Sequence, residues 1–311
     1  MATKQNHRPA KKSGAPQKVR KATVGDWIAG ARLRTLPLGI APVALGTGAA
    51  YVAGGEVWHE YRIALCFIVA IAIQIAVNYA NDYSDGVRGT DAHRVGPSRL
   101  TGSGAAKPRT VLTVALVFFA IAAVAGIALV IVSQYWWLLA VGAACIVAGW
   151  FYTGGKRPYG YLGLGEIFVF VFFGLVATAG STFVQVGTVN IESWLGGVAV
   201  GFIACAVLMV NNLRDRVQDK AAGKKTLSVR IGDRASRVVF AIFLLLPYVI
   251  LVFYTLFYDN AGYVYFSLLA AAPAVLIVLT AKQPKELILA LQLTSLTALL
   301  YGIGLAAAIA F

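Results

Sequence analysis

Two sets of side chains pose the chemical question in this sequence. Asn78, Asp82 and Asp85 close a long apolar run, residues 62–80, and Asn211, Asp215 and Asp219 close another, residues 194–210. Both sets contain Asn-x-x-x-Asp. On a helix, positions i and i+4 share a face and i+7 stays close to it, so each set forms one polar stripe. A carboxylate where a lipid-buried segment emerges is expensive unless it is paired, hydrated or bound to a cation. Two such stripes facing each other across a cavity would hold hard divalent cations. Oxygen ligands suit Mg²⁺, which keeps some of its waters and commonly takes a phosphate as a further partner.

The elements that must carry these stripes are membrane helices. Of the 311 residues, 59% are hydrophobic and only 13% charged, against about half and a quarter in soluble domains. The mean hydropathy is +0.74. A spanning helix needs roughly 20 apolar residues. Nine runs qualify as candidates: about 36–53, 62–80, 110–132, 135–152, 163–185, 193–213, 236–258, 262–280 and 287–310. The expected fold is all-α: a polytopic bundle of nine transmembrane helices around a central cavity, spanning residues 25–311. Gly46, Gly48, Ala49 and Ala50 would let helices approach closely. Residues 1–24 carry seven Lys or Arg and no acid. That composition buries no core and predicts a disordered basic tail.

A net charge of +14 could suggest nucleic acid, but its distribution argues otherwise. With the N-terminus inside, all but one of the 27 Lys and Arg fall on inner segments, Arg62 being the exception. This positive-inside pattern predicts an integral plasma-membrane protein with both acid stripes on the cytoplasmic side. It expects no nucleic-acid partner; the partner surface is the lipid bilayer. Cys66, Cys145 and Cys205 lie in apolar runs without a pairing pattern, and His7, His59 and His93 are scattered, so neither suggests a metal site. The inner segments after the second and sixth runs are predicted as long loops of roughly 25 residues, a length usual for functional or mobile loops.

Basic groups converge with the acids on one membrane face. Inner segments read Arg32-Leu-Arg34-Thr35, Tyr152-Thr-Gly-Gly-Lys156-Arg157 and Gly223-Lys224-Lys225-Thr226, and Arg94, Arg99 and Lys107 follow the first stripe. A substrate with a diphosphate head and a hydrophobic tail needs that combination: carboxylates to hold a bridging metal, and cations to neutralise the leaving charge.

At these residues the chain resembles the UbiA superfamily of intramembrane prenyltransferases, over about residues 25–310. Asn81-Asp82-x-x-Asp85 and Asp215-x-x-x-Asp219 look like its two Asp-rich metal motifs. The resemblance implies Mg²⁺ as cofactor, Asp82, Asp85, Asp215 and Asp219 as the catalytic acids, and the same four with Asn78 as its ligands. Tyr152-x-x-x-Lys156-Arg157 is similar to the family's diphosphate-binding segment, to which Arg94 is added. Within the family, Arg34-Thr-Leu-Pro, Gly89-Thr-Asp91, Asn211-Asn-x-Arg-Asp and Gly223-Lys-x-Thr-Leu look most like the branch that prenylates 1,4-dihydroxy-2-naphthoate. This implies a polyprenyl diphosphate donor, attack at the carboxylated ring carbon, loss of CO₂ and diphosphate, and formation of demethylmenaquinone. Arg34 and Asn211 are then the acceptor-binding residues. There are two departures. The family pattern expects a third acid where Gly89 stands, two residues before Asp91. Leu208 stands where a hydroxybenzoate branch would carry an acid, which argues against that acceptor.

Other readings stay open at this point. The acids could be helix-end carboxylates paired with loop Arg and Lys. Lys156 and Arg157 could serve topology alone, and Arg34 could simply snorkel. A different aromatic acceptor would use the same motifs. A cation-coupled transporter would also carry intramembrane acids, although these tend to sit at mid-membrane on broken helices.

Overall fold

The computed structural model describes residues 20–90 and 99–311, and all regular structure in them is helical. Arg94 and Asp91, and residues 1–19 of the expected tail, lie outside the described residues. Residues 20–23 are held in place. Thr23 caps helix α1 (Val24–Gly30) through a reciprocal capping box with Asp26. Arg20 pairs with Asp26 at 2.8 Å, and the Ala22 N–H donates to the Ala105 carbonyl at 2.9 Å.

After α1 the chain turns through Arg32, whose φ of 53° is left-handed. It enters α2 (Pro37–Ala53) with a bend of 46°. There follow α3 (Glu60–Arg88), α4 (Pro108–Ser133), α5 (Leu138–Phe151), α6 (Gly165–Val186), α7 (Ile191–Ala221), α8 (Leu227–Thr255), α9 (Asp259–Thr280) and α10 (Leu287–Ala310). Among the described residues, seven of these are long and apolar enough to cross a membrane, and the bent α1–α2 pair passes the same test when taken as one span. Each of the nine expected runs falls on a helix, but nine full crossings are not established. Helix α5 has 14 residues, about 21 Å at 1.5 Å each, short of the roughly 30 Å hydrocarbon core.

The predicted loop after the sixth run is also corrected. Helix α7 continues to Ala221 and α8 starts at Leu227, leaving a link of five residues, 222–226. Charges mark where a helix leaves lipid, not where it ends. The stretch from Asn211 to Ala222 contains no Gly or Pro to stop it. Helix α8 is itself interrupted at Gly232, where φ is 84° and ψ 179°.

Helix α7 is the most buried of the spans and packs extensively on α8. In lipid, apolar burial gives helices little reason to associate, so close packing and polar contacts must hold them. The expected small-residue contacts are present. A side-chain carbon at Gly48 would lie 2.6 Å from the Ala306 carbonyl oxygen of α10, and one at Gly46 would collide with the Thr178 carbonyl of α6. One at Gly174 would lie 2.6 Å from Gly201 Cα in α7. Gly174 belongs to a π-helical stretch, Phe170–Val176, inside α6, a local widening that recurs at functional sites. Arg62, the exception to the charge pattern, donates to the carbonyls of Val184 (3.1 Å), Gln185 (2.7 Å) and Val132 (3.4 Å). It therefore caps the C-terminal ends of α4 and α6.

Candidate active site

The two acid-bearing helices end in the same way. Gly89 and Gly223 adopt left-handed φ values of 72° and 77°, which glycine accepts without a side-chain clash. The following N–H groups turn back onto the carbonyl five residues earlier: Thr90 to Asp85 at 3.1 Å, and Lys224 to Asp219 at 2.8 Å. Gly89, a departure from the family pattern as an acid position, is thus the helix stop. The matching stop at Gly223 folds Lys224 back over the last acid of α7.

Lys224 links the two stripes. Its Nζ lies 3.2 Å from Asp85 Oδ1 on α3 and 3.6 Å from Asp219 Oδ1 on α7. It also sits 4.6 Å from the centre of the Tyr161 ring, in cation–π range. Burial disfavours its charge, but Asp85, then Tyr161 and Asp219, outweigh that and raise its pKa above the ordinary lysine value. Asp85 also accepts from the Tyr161 hydroxyl and pairs with Arg99 at 3.3 Å. Burial and the Asp85 charge raise the Tyr161 pKa, so the phenol stays a donor. On α7, buried Arg214 grips Asp215 with two bonds of 2.8 and 2.6 Å and donates to Asn211 Oδ1 at 2.8 Å.

One cavity of about 550 Å³ brings these groups together. Asp85, Arg99, Tyr161, Asp215, Asp219 and Lys224 line one end, and Asn78, Tyr152 and Asn211 also line it. The other end is lined by Val43, Cys66, Leu129, Leu138 and Val184. From Cys66 to Asp85 the α3 wall runs 19 residues (85 minus 66), about 28 Å by helix rise. Phe172, Phe173 and Val176 of the π-helical stretch line the wall between.

Several expected residues are placed differently. Asp82 is not on the cavity wall. Its two oxygens accept the N–H groups of Leu100 and Thr101, each at 2.8 Å. Asn78 lines the cavity while its amide donates to the Ala31 carbonyl at 2.9 Å. Lys156 and Arg157 are exposed and outside the lining. Arg88, donating to the carbonyls of Thr153 and Gly155, and Asn81, accepting from Thr153 Oγ1 at 2.6 Å, fix the turn that precedes them. Arg34 is half-buried but not on the wall, whereas Arg32 is. From the sequence, Lys224 is one of several basic residues near the acids and Tyr161 has no role. The usable signal was the repeated Asp-x-x-x-Gly, Asp85 to Gly89 and Asp219 to Gly223, which places a residue after each stop beside an acid.

Among the described residues no group of three His, Cys, Asp or Glu side chains closes a metal cage. Mg²⁺ needs only one or two carboxylates when substrate phosphates supply the rest. Asp85 and Asp219 already converge on one cationic centre, the Lys224 ammonium, so the donor set fits such an ion.

Residues 40–291 match the UbiA prenyltransferase family. The chain belongs to that family. It is 45% identical over 307 residues to the 1,4-dihydroxy-2-naphthoate octaprenyltransferase of Mycobacterium tuberculosis, covering 93% of this chain and 98% of that one. It is 50% identical over 222 residues to the Mycobacterium leprae protein of the same name, covering 70% and 74%. A solved UbiA homolog from Archaeoglobus fulgidus, bound to GPP and Mg²⁺, aligns over 91% of this chain and 99% of its own with a TM-score of 0.59. At 14% identity that match speaks for the fold alone. As a UbiA prenyltransferase with seven apolar spans or more, the chain is an integral membrane enzyme.

Proposed function

We propose that this UbiA enzyme transfers a polyprenyl group from an allylic polyprenyl diphosphate to 1,4-dihydroxy-2-naphthoate. The names of its mycobacterial relatives support that acceptor. The observation that carries the reading is the cavity shared by the two acid-bearing helices, acidic and basic at one end and apolar at the other. An amphiphile with a diphosphate head and an isoprenoid tail matches that division. The basic inner segments favour placing the polar end at the cytoplasmic face of the plasma membrane.

The residues divide the work as follows. Asp85, Asp215 and Asp219 face the diphosphate end and are the proposed ligands of Mg²⁺. The ion, when bound, supplies Lewis-acid neutralisation of the leaving group. Arg99, with Tyr161 beside it, is placed to meet the non-bridging oxygens, a part that the sequence had suggested for Lys156 and Arg157. Asp82 seats the 99–101 segment that carries Arg99, while Asn78 and Tyr152 shape the wall. Arg32 replaces Arg34 as the partner proposed for the acceptor carboxylate, with Asn211 lining the same end. The long apolar wall holds the tail and keeps water from the reacting carbon.

The allylic C–O bond breaks and diphosphate leaves with the electron pair. A C–C bond forms at the carboxylated ring carbon, and loss of CO₂ restores aromaticity and gives reduced demethylmenaquinone. Charge balances without a proton acceptor. The test uses purified protein, a polyprenyl diphosphate, Mg²⁺ and acceptor labelled in its carboxyl carbon. Label should leave as CO₂ one-for-one with product, chelation should stop the reaction reversibly, and 4-hydroxybenzoate should give little product. Product that keeps the label would overturn the acceptor assignment.

A further inference from the structure

The Lys224 ammonium stands between the two carboxylates proposed to hold Mg²⁺ and so joins the two stripes directly. Three details show that the position is built. Gly223 stops α7 and turns Lys224 back. The Lys225 N–H donates to the Tyr161 carbonyl at 2.8 Å, pinning the 222–226 link to the neighbouring turn. The Tyr161 ring supports the ammonium from below at 4.6 Å while its hydroxyl holds Asp85. The side chain is about nine-tenths buried.

We infer that Lys224 is the resident counter-ion of the Asp85–Asp219 pair and must leave it before a divalent cation binds there. This rests on the metal site proposed above. The argument is electrostatic. Two carboxylates in a partly dry site need a cation, and a lysine placed between them satisfies that need without metal. A free divalent ion arriving alone must displace the ammonium from both carboxylates and brings nothing for it to pair with. An ion arriving with a diphosphate brings one, because the ammonium can move a few ångströms onto the phosphate oxygens. Lys224 therefore couples metal affinity to the diphosphate head and keeps the acid pair from filling with metal alone. It is a positioning residue for the metal site, and its conversion to a diphosphate contact is part of substrate entry.

The test reads metal binding, not turnover. Purified full-length protein in nanodiscs is titrated with Mn²⁺, and free ion is followed by electron paramagnetic resonance, with and without inorganic diphosphate. Wild type should bind Mn²⁺ weakly alone and much more tightly with diphosphate. Lys224→Met should bind Mn²⁺ alone about ten-fold or more tightly than wild type, because a positive charge has been removed beside the ion. Its gain on adding diphosphate should shrink. Lys224→Gln keeps an N–H donor for the carboxylates and should show the same tightening if the methionine variant folds poorly. Lys224→Arg should stay near wild type. Unchanged or weakened Mn²⁺ binding in both neutral variants would overturn the counter-ion role, even where Asp85→Asn abolishes diphosphate-dependent Mn²⁺ binding. Should wild type show no Mn²⁺ binding that depends on Asp85 and Asp219, even with diphosphate, the metal-site reading itself fails, and this inference with it.

Discussion

Replacing Asp82 by Asn should loosen the 99–101 segment more than replacing Asp85 by Asn does. Asp82 is 2% exposed and takes the N–H groups of Leu100 and Thr101 on separate oxygens at 2.8 Å. Hydrogen bonds to a charged acceptor are worth roughly 1.5–3 kcal/mol each, and a buried donor left unpaired costs roughly 1–3 kcal/mol. Asparagine keeps one oxygen, now uncharged, and turns an NH₂ toward the other amide. The sum is a local destabilisation of about 3 kcal/mol, or about 100-fold in an opening equilibrium. Amide hydrogen exchange at Leu100 and Thr101 should accelerate by that factor. Asp85 reaches the same segment through the Arg99 side chain, and Asp85→Asn leaves both Asp82 oxygens on the two amides, so it should accelerate their exchange less than Asp82→Asn does.

A second perturbation reaches the same loop without touching charge. Gly86 faces the Thr101 side chain so closely that a methyl group would collide with it. Gly86→Ala should therefore raise exchange at Thr101 and leave the Asp82 carboxylate intact. If Asp82→Asn left both amides protected, or if Asp85→Asn exposed them equally, the assignment of Asp82 to loop seating would be refuted.

The remaining predictions follow from single contacts. Arg62→Ala should lower unfolding stability by about 2 kcal/mol, the scale for hydrogen bonds to a charged donor; thermal unfolding should show it, with KM for both substrates unchanged. Arg32→Ala should raise KM for the naphthoate at least ten-fold and Arg34→Ala should not, since only Arg32 reaches the cavity wall. An equal effect in steady-state kinetics would reject that choice. Tyr161→Phe keeps the ring under Lys224 but removes the donor to Asp85. It should cost about 1–3 kcal/mol of transition-state stabilisation if Asp85 needs that bond in place, read as a fall in kcat/KM. Gly48→Val should disrupt the α2–α10 contact, seen as loss of folded protein after detergent extraction.

What could be read from the sequence was whatever is local. The apolar runs fall on helices because lipid leaves a spanning segment little choice but to satisfy its backbone internally. Both acid sets fall on helices, and Asn211, Asp215 and Asp219 line the cavity together as their spacing implies, whereas Asp82 is off the wall that Asn78 and Asp85 share and holds the 99–101 segment. The reading that these acids pair with loop cations also matches the geometry at Asp85, which takes Lys224 and Arg99, whereas Asp215 pairs with Arg214 of its own helix. What could not be read was contact between distant elements. Tyr161 and Asp85 are 76 residues apart, and Lys224 and Asp85 are 139. Nor does composition say which way a turn points. Lys156 and Arg157 belong to a basic segment like many others, and the contacts made by Arg88 and Thr153 set the turn that leaves them in solvent.

The position of the acids in the helices explains why so many cations gather around them. Asp85 and Asp219 both lie in the last turn or so of their helices, α3 and α7. A helix C-terminus carries the negative end of the backbone dipole and a set of carbonyls without helical partners. Two such ends, each adding a carboxylate, meet at one end of a cavity whose other walls are apolar. The pair therefore demands positive charge more strongly than two isolated carboxylates would. The chain supplies it with Lys224 and Arg99, each about nine-tenths buried. An anionic diphosphate alone would be repelled from such a place. It becomes an acceptable guest when it arrives with a divalent cation for the carboxylates and releases the lysine and arginine to its own oxygens. The same exchange of partners explains how acids and bases that neutralise each other at rest can both serve one substrate.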